Sequence, residues 1–333
     1  MRNYFLILIV LIIISCSNNQ KSEVIKYEFL GEFNIKNGAN AITLDSEYSN
    51  IFISVYNNSI NNEFREIQKY NIQGDYIETL IDYMTNIDGN YEYYTPLDLT
   101  TDSDGNILVL VRPYYQFANN EWYQHNGFCI IVFDENGKFQ KEYDFGSIEE
   151  KWFDEISFLN GFIYVTNGTT IKRINSLDDD VIDINLPVEN IGSKIGYNID
   201  DNIPVSDMAI DGEENIWLVG QSRVSEKEIG CFMVKFNLNY LTYDILYSNG
   251  STDNFGAAFN KPGIVFDDKD NFYLATGYCQ SIEMFNNKGK FEQEISIIDH
   301  QFSYPTDIKI DKDYNIYVLD SRNDRILIYG LEF

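Results

Sequence analysis

Pro305-Thr306-Asp307-Ile308-Lys309-Ile310-Asp311, then a turn, then Asn315-Ile316-Tyr317-Val318-Leu319-Asp320, decides the architecture, because the chain repeats this stretch. A second copy reads Pro262 to Asp267 and Asn271 to Ala275. A third runs Asp207 to Asp211 and Asn215 to Val219, and a fourth Pro96 to Asp102 and Asn106 to Leu110. Weaker copies are Ala41 to Asp45 with Asn50 to Ile53, and Ile156 to Phe158 with Gly161 to Val165. Each copy is two short apolar runs around a tight turn. Asp and Asn stand four residues apart in the first four copies and five apart, Asp45 to Asn50, in the Ala41 copy. That is hairpin spacing, and Asp, Gly and Asn tolerate the left-handed conformations such turns need.

A second hairpin follows each unit, clearest in Ile130 to Phe139 (with Glu135-Asn136-Gly137) and Ile282 to Phe291 (with Asn287-Lys288-Gly289). Four strands repeated six times is the pattern of an all-β, six-bladed β-propeller of four-stranded antiparallel blades. The chain resembles NHL-type propellers, best in the strand-linking segment Asp320-Ser321-Arg322-Asn323-Asp324-Arg325-Ile326. The resemblance spans about residues 24–333, strongest in blades 5 and 6 and weakest in blades 1 and 3. The last unit stops after a third strand, Arg325 to Tyr329, while Val24 to Phe33 reads as a strand with no unit of its own. The N-terminal strand is therefore expected to close the last blade, hiding two sheet edges at once.

The chain has 333 residues, 44% of them hydrophobic, with 25 Tyr and 23 Phe, enough for a substantial core and unlike a disordered chain. Fifty-two acidic residues against 24 Lys and Arg give a net charge of −28. That charge argues against nucleic acid or an anionic membrane surface as partner, and it also serves solubility.

Before the repeats, Arg2 precedes an unbroken apolar run from Tyr4 to Ile14, which ends Ser15-Cys16 and turns polar at Ser17-Asn18-Asn19. The run is short of the ~20 residues a membrane span needs, and suits a signal-peptide core. It resembles a bacterial lipoprotein signal. That resemblance implies a signal over residues 1–15, lipidation of Cys16, a tether over 16–23 and a propeller over 24–333. It places the protein in the bacterial cell envelope, exposed outside the cytoplasm on the outer membrane or cell surface, with the lipid as its membrane attachment. A monomer is expected. Cys129, Cys231 and Cys279 allow at most one disulfide, with Cys231 and Cys279 one candidate pair, and no C-x-x-C spacing suggests zinc.

In a propeller the turns between strands 1–2 and 3–4 share one face, and the 2–3 and inter-blade links share the other. The first set is short here. The second holds the long stretches Asp82 to Thr95, Arg112 to Phe128, Leu186 to Ile203 and Tyr247 to Lys261, read as irregular loops where binding residues concentrate. Two candidate sites follow. Asp98, Glu155, Asp207 and Asp307 occupy equivalent positions at the entry to the innermost strands, with Ala41 and Gly263 at those places in blades 1 and 5. Four carboxylates around one narrow channel suit a hard cation such as Ca2+. The NHL resemblance implies another role for an acid there, hydrogen bonding to neighbouring backbone amides. The second set is aromatic: Tyr94, Tyr114, Tyr115, Trp122 and Tyr123 join contact area to polar tips, fitting an envelope protein, a peptide or a glycan. The alternative reading of the same rings is packing of the long loop against the blade.

Catalysis has little support. His125 and His300 cannot form a three-histidine metal site, and no G-x-S-x-G, phosphate-cradling glycine loop or H-E-x-x-H occurs. The expectation is a non-catalytic binding or scaffolding module. The alternative is a divalent-metal-dependent hydrolase or lactonase using the carboxylates.

Overall fold

The computed structural model describes residues 26–59, 62–82, 93–116, 122–124, 127–145, 153–187, 191, 205–223, 229–238, 242–251, 262–276, 281–295 and 302–332. Blade 1 is β2 (Ala39–Leu44), β3 (Asn50–Ser59), β4 (Asn62–Asn71) and β5 (Tyr76–Ile81). Blade 2 is β6 (Tyr93–Thr101), β7 (Ile107–Gln116), β9 (Cys129–Phe133) and β10 (Phe139–Asp144), with an added β8 (Trp122–Gln124) on β7. Blade 3 is β11 (Glu155–Leu159), β12 (Phe162–Thr166), β13 (Thr170–Asn175) and β14 (Val181–Asn185). Blade 4 is β15 (Val205–Ile210), β16 (Asn215–Arg223), β17 (Ile229–Asn237) and β18 (Thr242–Ser251). Blade 5 is β19 (Gly263–Phe266), β20 (Phe272–Thr276), β21 (Ser281–Phe285) and β22 (Phe291–Ile295). Blade 6 is β23 (Pro305–Ile310), β24 (Ile316–Asp320), β25 (Arg325–Leu331) and, outermost, β1 (Tyr27–Asn34). The protein is an all-β, six-bladed propeller. Each inner strand packs against the next, and β23 returns to β2.

Closure is by the N-terminal strand. β1 pairs antiparallel with β25 from Tyr27 opposite Leu331 to Asn34 opposite Arg325, with a bulge at Leu30. Arg325 ties three strands together, donating from Nη1 to Glu32 on β1 (2.6 Å) and from Nε to Asp320 at the end of β24 (3.0 Å). Asp320, fully buried, also accepts from the Ser303 and Tyr304 amides and the Asn323 side chain, so the NHL-like segment works as a knot of hydrogen bonds.

Six apolar clusters fill the six seams between blades, one per seam. β7 shows why middle strands read as unbroken apolar runs. Ile107, Val109 and Val111 enter the seam with blade 1, while Leu108 and Leu110 enter the seam with blade 3. A strand buried on both faces has no polar face to alternate with.

The repeated Asp–Asn turn has a physical cause. Asp102, Asp211, Asp267 and Asp311 each accept the amides two and four residues on, and the Asn side chain four residues on. Burial raises Asp211, but these bonds, together with Trp217 Nε1 and Lys235, outweigh it and hold the carboxyl below its ordinary range. The third loop residue is left-handed. Only at Gly105 is it a glycine; Tyr48, Glu214, Asp270 and Tyr314 adopt the same conformation. The Asp fork compensates for a strain of about 1–2 kcal/mol in those residues.

The long stretches expected as irregular loops include strand. β7 continues through Pro113 to Gln116 and pairs with β8, and β18 reaches Ser251, past the expected loop start at Tyr247.

Tyr27, on the closing strand, shares a hydrogen bond with Tyr273 of blade 5 (2.8 Å). Burial is the main cause that pushes Tyr27 up, to about 12, and Tyr273 rises further. Above pH 10 the folded state then holds protons that the unfolded chain has lost, so stability falls as pH rises from about 10 to 12. Urea unfolding between pH 8 and 11 is expected to show this loss, with a shallower slope in Tyr27→Phe. An equal slope in the variant would contradict the assignment.

Candidate functional site: the axial ring and the blade 2 hairpin

Each inner strand ends its sheet, so one edge faces the propeller axis with no strand to pair its amides. Three of the four predicted acids meet that need. Asp98 accepts from the Leu99 amide (2.8 Å) and from Ile156 of blade 3 (2.9 Å). Asp207 accepts from Met208 (2.7 Å) and from Ile264 of blade 5 (2.7 Å). Asp307 accepts from Ile308 (2.7 Å) and from Ile42 of blade 1 (2.7 Å). One carboxylate oxygen thus serves its own strand and the other serves the next blade. Three aspartates on blades 2, 4 and 6 satisfy six equivalent amides, one per blade.

The arrangement explains what stands at the same position in blades 1, 3 and 5. Those residues precede a served amide, so the bridge needs no acid from them. Ala41 is buried, and Gly263 permits close approach, since a Cβ there would lie 2.9 Å from the Asp307 Cα. Glu155 is buried at the head of β11, opposite Thr166.

Lys309, two residues beyond Asp307, completes the ring. Its Nζ donates to Asp307 Oδ1 at 2.6 Å. Burial alone would lower the lysine, but Asp307, Asp207 and Asp98 outweigh it and hold the ammonium above its ordinary range. Asp207 responds oppositely. Burial pushes its carboxyl up, Lys309 draws it back, and Asp307 and Asp98 push it up again, for a net rise. Sequence reasoning missed Lys309, although its place two residues past the acid position was readable in the repeat.

A cavity of about 210 Å³ on the axis is lined from all six blades, Thr43, Asp98, Ser157, Asp207, Val265 and Lys309 among them. Among the described residues, no group of three or more His, Cys, Asp and Glu is disposed to hold a metal ion. Both oxygens of each aspartate already face amide donors, and the nearby cation is an ammonium.

The aromatic set divides. Tyr94 is fully buried in the seam between blades 1 and 2, with Phe52 and Val111, so its ring is core and not rim. That corrects its assignment as a ligand contact. Strand alternation beside an aromatic loop disguised it. Tyr114 and Tyr115 lie on the outer part of β7, and Trp122 and Tyr123 on β8. Register places Tyr115 opposite Tyr123 and Gln116 opposite Trp122.

Cys129 is a free thiol, buried on β9, where burial together with Glu142 and Asp144 raises its pKa. Cys16, Cys279, His125 and His300 lie outside the described residues.

No family model matches this sequence, and no curated protein matches it. Among solved structures, one similar protein is "Structural genomics protein of unknown function from Bacteroides thetaiotaomicron". It has a TM-score of 0.57 at 10% identity, over 92% of this chain and 72% of that one. The virginiamycin B lyase from Staphylococcus aureus aligns with a TM-score of 0.50 at 14% identity, over 92% and 100%. The WD40 β-propeller domain of Doa1 aligns at 0.53 and 9% identity, over 92% and 98%. At these identities the likeness extends to the propeller fold.

Replacing Asp98 with Ala leaves the Leu99 and Ile156 amides without their acceptor and is expected to cost about 2–4 kcal/mol. Ser157→Ala, on the same channel wall, is expected to stay within about 1 kcal/mol. Denaturant unfolding of both variants checks the contrast, and equal costs would contradict it.

Proposed function

We propose that this chain is a lipid-anchored, NHL-type propeller of the bacterial cell envelope that binds a partner on its loop face without catalysing a reaction. The observation that carries the reading is the β7–β8 hairpin. It extends blade 2 beyond its four-stranded sheet and brings Tyr115 opposite Tyr123, with Trp122 beside them in sequence. A paired ribbon rooted in a blade fixes its backbone before binding, which lowers the entropic cost of recognition. An envelope protein, a peptide or a glycan is the partner class that aromatic residues suit.

The lipid anchor rests on the Ser15-Cys16 junction after the apolar run. Cys16→Ser is expected to move the protein from the membrane fraction to the soluble fraction and to remove the acyl mass from the intact protein. Retention in membranes without Cys16 would refute the anchor.

For the binding face, cross-linking in cells from the hairpin and a glycan microarray identify the ligand class. The double variant Tyr115→Ala, Trp122→Ala is then expected to weaken the interaction by about 30-fold or more while the melting temperature holds. Unchanged affinity would end the proposal.

A metal-dependent hydrolase or lactonase ranks second, favoured by the convergence of Asp98, Asp207 and Asp307 on one axis. Their bonds to six amides give them a structural role that needs no metal. Chelator-sensitive turnover in an ester and lactone panel would reverse the ranking.

A further inference from the structure

The path of the closing strand fixes where the chain enters the propeller. Arg325 starts β25 at the loop-face link between strands 2 and 3, and it pairs with Asn34, so β1 ends on the loop face. Tyr27, opposite Leu331, therefore lies at the other end, on the face of the short turns. Three contacts hold that entry point. The Glu332 amide donates to the Lys26 carbonyl (2.8 Å), the Lys26 ammonium pairs with Glu332 (3.6 Å), and Tyr27 bonds to Tyr273 of blade 5 (2.8 Å). The chain preceding Lys26 thus joins the propeller at the turn face, opposite to the β7–β8 hairpin.

Chain length gives that entry point a consequence. Cys16 stands ten residues before Lys26, a reach of at most ~36 Å when fully extended. On β7, Gln116 stands nine residues above Ile107, whose repeat equivalent in blade 6 is Ile316. Lys26 lies three residues below the level of Ile316, because Ile316 faces Tyr329 and Tyr27 faces Leu331. Roughly 40 Å of strand rise therefore separates Lys26 from the end of the hairpin. A propeller turned loop face down on the membrane that holds Cys16 would need a longer tether than the sequence supplies. Resting on the lipid-anchor reading, we propose that the turn face is the membrane-proximal surface and that the loop face, with its hairpin, points away, so the partner is met on the membrane-distal side. The surface chemistry suits a tethered body rather than an embedded one. Asp104, Glu135, Asp178, Glu213, Asp268 and Asp313 are exposed on the turn face, and anionic headgroups would repel them.

The test is energy transfer on vesicles. Acylated full-length protein is bound to phosphatidylcholine vesicles carrying a headgroup-labelled acceptor lipid, with Cys231→Ser and Cys279→Ser leaving one dye position at a time. That position is Lys312→Cys on the turn face, Asn37→Cys on the loop face, or Gln116→Cys on the hairpin. Lys312 and Asn37 flank the two ends of blade 6, so a body lying on its side would give them equal transfer. With roughly 25 Å of strand between those ends, transfer from Lys312→Cys is expected to exceed that from Asn37→Cys about two-fold or more, with Gln116→Cys lowest. Equal transfer, or greater transfer from Asn37→Cys, overturns the orientation and leaves the anchor standing. Failure of the acylated protein to float with the vesicles overturns the anchor and the orientation together. Should the labelled background fail to fold, hydroxyl-radical footprinting of the unsubstituted lipoprotein decides. Leu177, 90% exposed on the turn face, is expected to lose more reactivity on vesicles than Tyr304 on the loop face, and the reverse order or no difference overturns the proposal.

Discussion

A ring of six blades brings six strand edges to one axis, where no seventh strand can pair with them. Each edge carries an amide that must find an acceptor. In this protein three aspartates serve all six, each spanning from its own strand to the next blade. A buried amide left unsatisfied costs about 1–3 kcal/mol, so six such amides compare with the whole net stability of a domain, about 5–15 kcal/mol. Water in the channel would recover part of that, but a carboxylate bond is charge-assisted and also fixes the spacing of adjacent blades. The bridges cross the seams between blades 2 and 3, 4 and 5, and 6 and 1, so the ring is stitched as three pairs.

The rest of the architecture follows from that pairing. Gly263 is small because a Cβ there would lie 2.9 Å from the Asp307 Cα of blade 6, and Ala41 can be apolar because Asp307 reaches across to Ile42. The outer rim is held differently. There the β1–β25 ladder joins the chain's two ends, and Arg325 locks it through Glu32 and Asp320. Between axis and rim, the apolar seams supply the bulk of the burial, which is why the middle strands are unbroken runs of Ile, Val, Leu and Phe.

Much of this was legible from residues. The Asp–Asn turns, the six units, the short last blade and the strand-like Val24 to Phe33 all led to the observed ring, because each is a local demand with a local answer. Amide bonding by the channel acids was one of two readings open for Asp98, Asp207 and Asp307; choosing between them required knowing which amides lie opposite. Tyr94 misled because a strand's alternation cannot be phased from inside an aromatic stretch, so a core ring passed for a rim ring. β8 was hidden inside the stretch Arg112 to Phe128, read as loop, whereas Pro113 sits inside β7 opposite Tyr94 and the ladder continues past it. Lys309 carried no motif, and only the closed ring brings it beside Asp98 and Asp207.

Native-state hydrogen exchange followed at single amides tests the central claim most directly. Ile42, Ile156 and Ile264 are predicted to be strongly protected in the intact protein, and Asp98→Ala is predicted to release Leu99 and Ile156 while Ile42 and Ile264 stay slow. Fast exchange at all three in the intact protein, or an Asp98→Ala profile that leaves Ile156 protected, would contradict the carboxylate stitching of the ring.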